Sequence, residues 1–84
     1  MAKVLQTVLV SRTEAPTLRE AERIARQHAD RIYTSRKTKN YWRFRQRPPG
    51  CFAGGYKSKK IRKGKIVLVY ANLKKSATQR RSCR

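Results

Sequence analysis

Residues 36–70 read RKTKNYWRFRQRPPGCFAGGYKSKKIRKGKIVLVY, and this stretch decides the fold. It carries twelve Lys or Arg and no Asp or Glu. It also holds six of the seven aromatic residues of the chain: Tyr41, Trp42, Phe44, Phe52, Tyr56 and Tyr70. Its last five residues, 66–70, are apolar on both faces, which predicts an interior strand of a sheet, beside the first strand of the chain.

Two more strands are predicted immediately upstream of residues 66–70. Residues 57–62 and 65–70 flank Lys63 and Gly64, and this pattern predicts a hairpin closed by a two-residue turn. Residues 41–47 alternate between two sides of a strand. The side predicted to face the core carries Trp42, Phe44 and Gln46, and the basic side carries Tyr41, Arg43, Arg45 and Arg47.

The connections of this region follow from its polar residues, prolines and glycines. Residues 35–40 lack apolar anchors and are predicted to be a mobile connection. Proline stops a strand at Pro48, and residues 51–56 are predicted to form a wide loop anchored by Phe52. Gly54 and Gly55 could let a phosphate approach the backbone, although no nucleotide-binding fingerprint surrounds them.

The first 32 residues predict a strand and a helix. Residues 2–10 are rich in branched side chains and predict a buried strand. Thr17 and Glu20 have the spacing of a capping box, so a helix is predicted over residues 18–32. Its apolar stripe comprises Leu18, Ala21, Ala25, His28 and Ile32. On the opposite side Glu22, Arg26 and Asp30 follow at intervals of four and can form ion pairs.

These elements predict an α+β fold in which one helix packs on a small, mostly antiparallel sheet of three to four strands, in the order β-α-β-β-β. Residues 1–73 are expected to form a single domain. Residues 74–84 have few apolar side chains and are expected to be a disordered basic tail.

The charge balance points to an anionic partner. Among 84 residues, 23 are Lys or Arg and 4 are Asp or Glu, which gives a net charge of +19. All four acids lie in the first 30 residues. Solubility alone needs a net charge of only about 2 to 8 in a small domain. Rings that can stack on bases lie among charges that can hold phosphates, so nucleic acid is the expected partner.

Several other classes of function are disfavoured. No window approaches the roughly 18 apolar residues of a membrane span, and residues 1–10 lack the apolar core of a signal peptide, so we expect a soluble, cytoplasmic protein without a membrane partner. Two cysteines without a Cys-x-x-Cys pair and one histidine support neither a disulfide framework nor a zinc site. No metal or other cofactor is expected.

The candidate nucleic-acid-binding residues come from the basic side of the predicted strand, the hairpin and the connections. They are Arg36, Lys37, Lys39, Tyr41, Arg43, Arg45, Arg47, Lys57, Lys59, Lys60, Arg62 and Lys63. Arg43, Arg45, Arg47, Lys57, Lys59 and Lys60 are expected to share one sheet face or edge. Nothing in the sequence chooses DNA over RNA, because both backbones attract the same cations.

Two other functions stay open beside nucleic-acid binding. One is a small ribonuclease resembling the basic toxins of toxin–antitoxin pairs, with Arg45, Arg47, Tyr70 and His28 as candidates. The absence of a spaced acid–base pair speaks against it, and we expect no enzyme. The other is an inhibitor, for instance a phage product, whose partner is a host protein or ribonucleoprotein complex.

A resemblance bears on origin alone. The pattern FRQRPP at residues 44–49, Phe52, YKSKKI at residues 56–61 and GKIVLV at residues 64–69 resembles a short module of small phage and mobile-element proteins without an assigned role. The resemblance implies a phage or mobile-element origin and carries no fold or chemistry.

Overall fold

A computed structural model of the protein describes residues 3–29, 31–74 and 83. Its strands are β1 (Val4–Ser11), β2 (Thr34–Lys37), β3 (Tyr41–Arg45), β4 (Phe52–Ile61) and β5 (Ile66–Leu73). One helix, α1 (Leu18–Arg26), follows β1, and a short 3-10 turn spans Pro49–Cys51. The strands form a single antiparallel sheet in the order β2-β3-β1-β5-β4.

The α+β class is confirmed, but the sheet has five strands and not three to four. The additional strand is β2, which lies where a mobile connection was predicted. Its four side chains are all exposed, so no apolar period marks it, and it forms by backbone pairing with β3. Strand β4 also begins earlier than predicted, at Phe52. The sequence did not show this start because two register shifts between Phe52 and Lys57 interrupt the alternation of side chains.

The main core lies between α1 and one side of the sheet. Ala21 and Ala25 of α1 are fully buried, and such small side chains allow a helix to approach a sheet closely. The helix packs on a cluster that includes Val8, Val10, Trp42, Phe44, Ile66 and Leu68. Trp42 and Phe44 therefore face the core, as their alternation predicts. The indole N–H of Trp42 donates to the carbonyl oxygen of Ala15 at 2.7 Å, so its polar atom is satisfied.

Helix α1 begins where predicted and ends six residues early, at Arg26. The Thr17 hydroxyl accepts from the backbone N–H of Glu20 at 3.3 Å, which is one half of the predicted capping box. At the other end, the N–H groups of Gln27 and His28 bond three residues back, which tightens the last turn. The chain then leaves the helix to reach β2, while Ile32 still packs against the core.

The predicted ion pairs of the helix are present in part. Arg26 Nη2 lies 2.8 Å from Glu22 Oε1, as the spacing of four predicts. Asp30, the other predicted partner of Arg26, lies outside the described residues.

The β4–β5 hairpin is confirmed, but its turn contains four residues, 62–65, and not two. Arg62 and Lys63 adopt positive φ angles of 49° and 58°, and Gly64 has a φ of 82°. Both ends of the turn contact one carboxylate, because Glu14 lies 3.6 Å from Arg62 and 3.5 Å from Lys65. The acid thus helps to hold a turn whose residues have an unfavourable backbone conformation.

A second buried cluster joins the end of the sheet to the end of the chain. Cys51 and Cys83 are fully buried and form a disulfide, with Cα atoms 5.6 Å apart, against Phe52 and Ala71. The sequence analysis found no support for a disulfide framework, and the structure corrects it with this one pair. A separation of 32 residues and the polar sequence around Cys83 gave no signal for the pair.

The predicted disordered tail falls mostly outside the described residues. Only Lys74, whose N–H donates to the Cys51 carbonyl oxygen at 2.9 Å, and Cys83 are described there. No helix in the described part of the chain is long and apolar enough to cross a membrane. A cytoplasmic location stays a prediction.

Opening the disulfide should lower the free energy of unfolding by roughly 3 to 4 kcal/mol, because a cross-link between residues 32 apart restricts the unfolded chain. Denaturant unfolding with and without a thiol reductant measures this. The Cys51→Ser, Cys83→Ser double variant is the control and should not respond to the reductant. A reductant-insensitive native protein would contradict the structural role of the pair.

Candidate nucleic-acid interface

The strand register assigns each side chain to one side of the sheet. We call the side opposite α1 the open face. Across it, Arg36 is paired with Arg43, Arg43 with Leu9, Leu9 with Val67, and Val67 with Lys60. This row crosses all five strands and carries a cation at each edge. The second buried cluster lies at one end of this face, because Ala71 and Leu73 continue the alternation of Val67 and Val69.

Arg36, Arg43 and Arg45 lie together on the β2–β3 part of the open face, and we call them the arginine group. Arg36 is directly opposite Arg43, and Arg45 follows Arg43 by two residues on the same side of β3. Like charges in such positions destabilise a sheet. The pKa of Arg43 is lowered from its ordinary value, first by burial and then by the charges of Arg45 and Arg36.

No carboxylate forms an ion pair with the arginine group within the described residues. The ion pairs there join Glu22 to Arg26 and Glu14 to Arg62 and Lys65. Desolvation and mutual repulsion both disfavour the charged form of Arg43, so a bound anion would stabilise it. The group therefore combines positive charge, the partial burial of Arg43 and Arg45, and guanidinium geometry suited to oxygens of phosphate.

The sequence analysis expected the lysines of β4 to share one sheet face or edge. In the structure they share the β4 edge but lie on two sides of the sheet. Lys60 is on the open face, whereas Lys57 and Lys59 pair with Tyr70 and Leu68 and lie on the helix side. Successive residues of a strand point to opposite sides, and this alternation separates the three lysines. Since β4 is an edge strand, all three remain exposed.

The remaining lysine candidates lie at the periphery. Lys37 is on the helix side of β2, with its ammonium nitrogen 5.8 Å from the centre of the Trp42 ring. Lys39 is exposed in the β2–β3 connection, where its carbonyl oxygen accepts from Arg12 at 3.0 Å. Lys63 is exposed in the β4–β5 turn beside Arg62, whose charge Glu14 partly offsets.

Arg47 was predicted to lie on the displayed basic side, but its guanidinium is used within the fold. Its Nε–H donates to the carbonyl oxygen of Cys83 at 2.7 Å, and Nη1 donates to that of Leu5 at 3.2 Å. Both bonds are partly buried. Arg47 thus ties the second buried cluster to β1, and the spacing of arginines in the sequence could not distinguish it from Arg45.

The residues considered for a ribonuclease are not brought together. Arg45 is on the open face, whereas Tyr70 packs against the core on the helix side. His28 is half-buried after α1, and its Nε2 atom has no hydrogen-bond partner. In the described part of the chain, no group of three or more His, Cys, Asp or Glu could hold a metal ion.

Tyr41 occupies the open face beside the arginine group. It is half-buried, and its hydroxyl lies 3.5 Å from the carbonyl oxygen of Gly64.

Leu9 and Val69 lie half-buried in the middle of the open face, although their sequence context suggested core positions. Only the register, which shows the two sides of β1 and β5, separates them from Val8 and Leu68.

Comparison with known proteins gives no relative for this chain. No protein-family model matches it, and neither the curated proteins nor the solved structures yielded a match.

The structural role of Arg47 predicts different effects for neighbouring arginines. Arg47→Ala should lower the free energy of unfolding by roughly 2 to 4 kcal/mol, because it removes two hydrogen bonds from a charged donor to backbone carbonyls. Arg45→Ala is the matched control and should leave stability unchanged or raise it, since it relieves repulsion with Arg43. Thermal and denaturant unfolding test this. Equal losses of stability in both variants would contradict it.

Proposed function

We propose that the protein binds nucleic acid through the open face, with the arginine group as the main cationic contact. The observation that carries the proposal is the cross-strand pair of Arg36 and Arg43, with Arg45 beside it and no ion-paired carboxylate among the described residues. A sheet that keeps like charges opposite each other is less stable than one that does not. A bound anion would offset the repulsion between these like charges.

Phosphate is the anion that best fits this group. Guanidinium presents a planar set of donors that can engage two oxygens of one phosphate, and arginine keeps its charge at any physiological pH. Three such groups side by side favour several phosphates on one chain over a single small anion. Lys60 at the far edge of the open face supplies a further cation along the same row.

The helix is a weaker candidate for the contact. Its exposed side forms an open depression lined by Arg19, Glu22, Arg23 and Arg26. Arg26 already pairs with Glu22 at 2.8 Å, and a carboxylate within the depression repels phosphate. Positive charge on the helix is thus partly neutralised, whereas no carboxylate of the described residues forms an ion pair with the arginine group.

Salt dependence and a pair of double variants test the proposal. Affinity for a nucleic-acid oligonucleotide should fall steeply with salt, by a log–log slope of about −0.9 per phosphate neutralised on a duplex and about −0.7 on a single strand. Arg36→Gln with Arg43→Gln should weaken binding by roughly 1 to 3 kcal/mol for each side chain that reads a base, and by less for an arginine that binds phosphate alone. The salt slope should also become shallower by about one for each replaced arginine that neutralised a phosphate.

Arg19→Gln with Arg23→Gln is the matched control, because it removes the same two charges from the total of +19. Fluorescence anisotropy titrations at two salt concentrations give both quantities. A greater drop in affinity for the helix variant would place the contact on the helix. Affinity that does not change with salt would contradict phosphate binding and favour a protein partner.

A further inference from the structure

The exposure of the aromatic side chains divides them into two groups. Trp42, Phe44 and Phe52 are buried, and Tyr41 and Tyr70 are half-buried. Tyr33 and Tyr56 are instead 54% and 55% exposed. Such rings contribute little to the core, and an aromatic face beside cations is the arrangement on which unpaired bases stack.

Tyr56 lies on the open face at the β4 edge. Ser58 and Lys60 pair with Val69 and Val67 of the open face. Tyr56 lies within the register shift between Gly54 and Lys57, and alternation from Ser58 and from the helix-side Lys57 places it toward the open face. Cationic side chains follow it along β4, with Lys57 next to it and Lys60 on its own face. The Tyr56 ring therefore lies on the same strand as two lysines that can attract phosphate.

The backbone before Tyr56 is shaped by two glycines. Gly54 and Gly55 have φ angles of 107° and 69°, at the register shift that precedes Lys57. A Cβ atom on Gly55 would lie 2.5 Å from Asn72 Nδ2, so the Asn72 side chain would have to shift, and the positive φ favours glycine at this position. The two glycines thus allow the register shift at the β4 edge before Tyr56. Because glycine has no side chain, neither residue covers the Tyr56 ring from its N-terminal side.

Between Tyr56 and the arginine group, the open face has an apolar middle. Leu9 and Val69 are half-buried there, on the adjacent strands β1 and β5. Tyr33 lies at the opposite edge, where its N–H donates to the Arg45 carbonyl oxygen at 2.6 Å. Alternation from Thr34, which pairs with Arg45, places the Tyr33 ring toward the helix side. On the open face, cations therefore occur at both edges, the exposed ring of Tyr56 lies at the β4 edge, and apolar side chains occur between them.

This arrangement suits an unpaired strand better than a duplex. A duplex presents phosphates and groove edges, and its base faces are stacked inside. Base faces of an unpaired strand are free to lie on tyrosine rings and on aliphatic side chains while the phosphates meet the cations. Five strands at about 4.8 Å spacing give a face roughly 19 Å wide, which can hold several nucleotides.

We propose that the ligand of the open face is single-stranded nucleic acid, RNA or DNA, with Tyr56 as a stacking residue. The proposal rests on the proposed function, and it adds the form of the ligand and the residue that recognises it.

The test compares one sequence as single-stranded RNA, as single-stranded DNA and as the corresponding duplexes, using the full chain with its disulfide intact. Either unpaired strand should bind more tightly than its duplex, and a preference between the two would identify the sugar. Tyr56→Ala should weaken binding of the unpaired strand by about fivefold to 150-fold, which corresponds to the loss of one base–ring stack, and leave duplex binding unchanged. Tyr56→Phe keeps the ring and should keep the affinity.

Because Tyr56 is exposed, both variants should melt like the native protein, and melting curves verify that each is folded. Equal or tighter binding of the duplexes would overturn the single-strand proposal, as would a Tyr56→Ala variant that binds unpaired strands normally. These results leave nucleic-acid binding itself intact. Failure of the proposed function looks different, since none of the four probes would then bind.

Discussion

The register of β1 with its two neighbours is the constraint on which the other features depend. Val8 lies between Phe44 of β3 and Leu68 of β5, and all three face the helix. The next residue, Leu9, lies between Arg43 and Val67 on the opposite side. A slip of one residue would place the arginines in the core and the aromatic rings in solvent. Burial of Phe44 and its partners therefore also determines where the arginine group lies.

Two of the four acidic residues, Glu14 and Glu22, are placed where the fold uses them. Glu22 pairs with Arg26 on the helix, and Glu14 contacts both ends of the β4–β5 turn. Arg47 also serves the fold, through its bonds to Leu5 and Cys83. These contacts compensate cations that support structure. The cations of the arginine group lack such partners in the described part of the chain, and this contrast is the physical basis for assigning them to a ligand.

The features predicted from the sequence are those in which side-chain burial alternates. Trp42 and Phe44 were correctly assigned to the core because β3 has one apolar and one basic side. Strand β2 was missed because its exposed side chains show no period, and its pairing depends on the backbone alone. The start of β4 was missed because its register shifts interrupt the period. Local patterns could not show the spatial order of the strands, which alone brings Arg36 opposite Arg43.

The sequence indicated which kinds of residue form the candidate site, but not which of them lie together on one side of the sheet. Arg43 and Arg47 look alike in the sequence, yet one is displayed and the other is bonded to the end of the chain. Lys59 and Lys60 are adjacent, yet they lie on opposite sides of β4. Tyr33 and Tyr56 differ from the other rings in exposure, which depends on three-dimensional packing.

The claim that the open face is the nucleic-acid contact is tested most directly by observing the arginine side chains during binding. An NMR titration of the nitrogen-15-labelled protein with a short oligonucleotide reports on each resolved guanidinium Nε–Hε signal. The account predicts that the signals of Arg36, Arg43 and Arg45 shift with added nucleic acid, while those of Arg19 and Arg23 on the helix do not. Shifts confined to Arg19 and Arg23, with the arginine group unmoved, would contradict it.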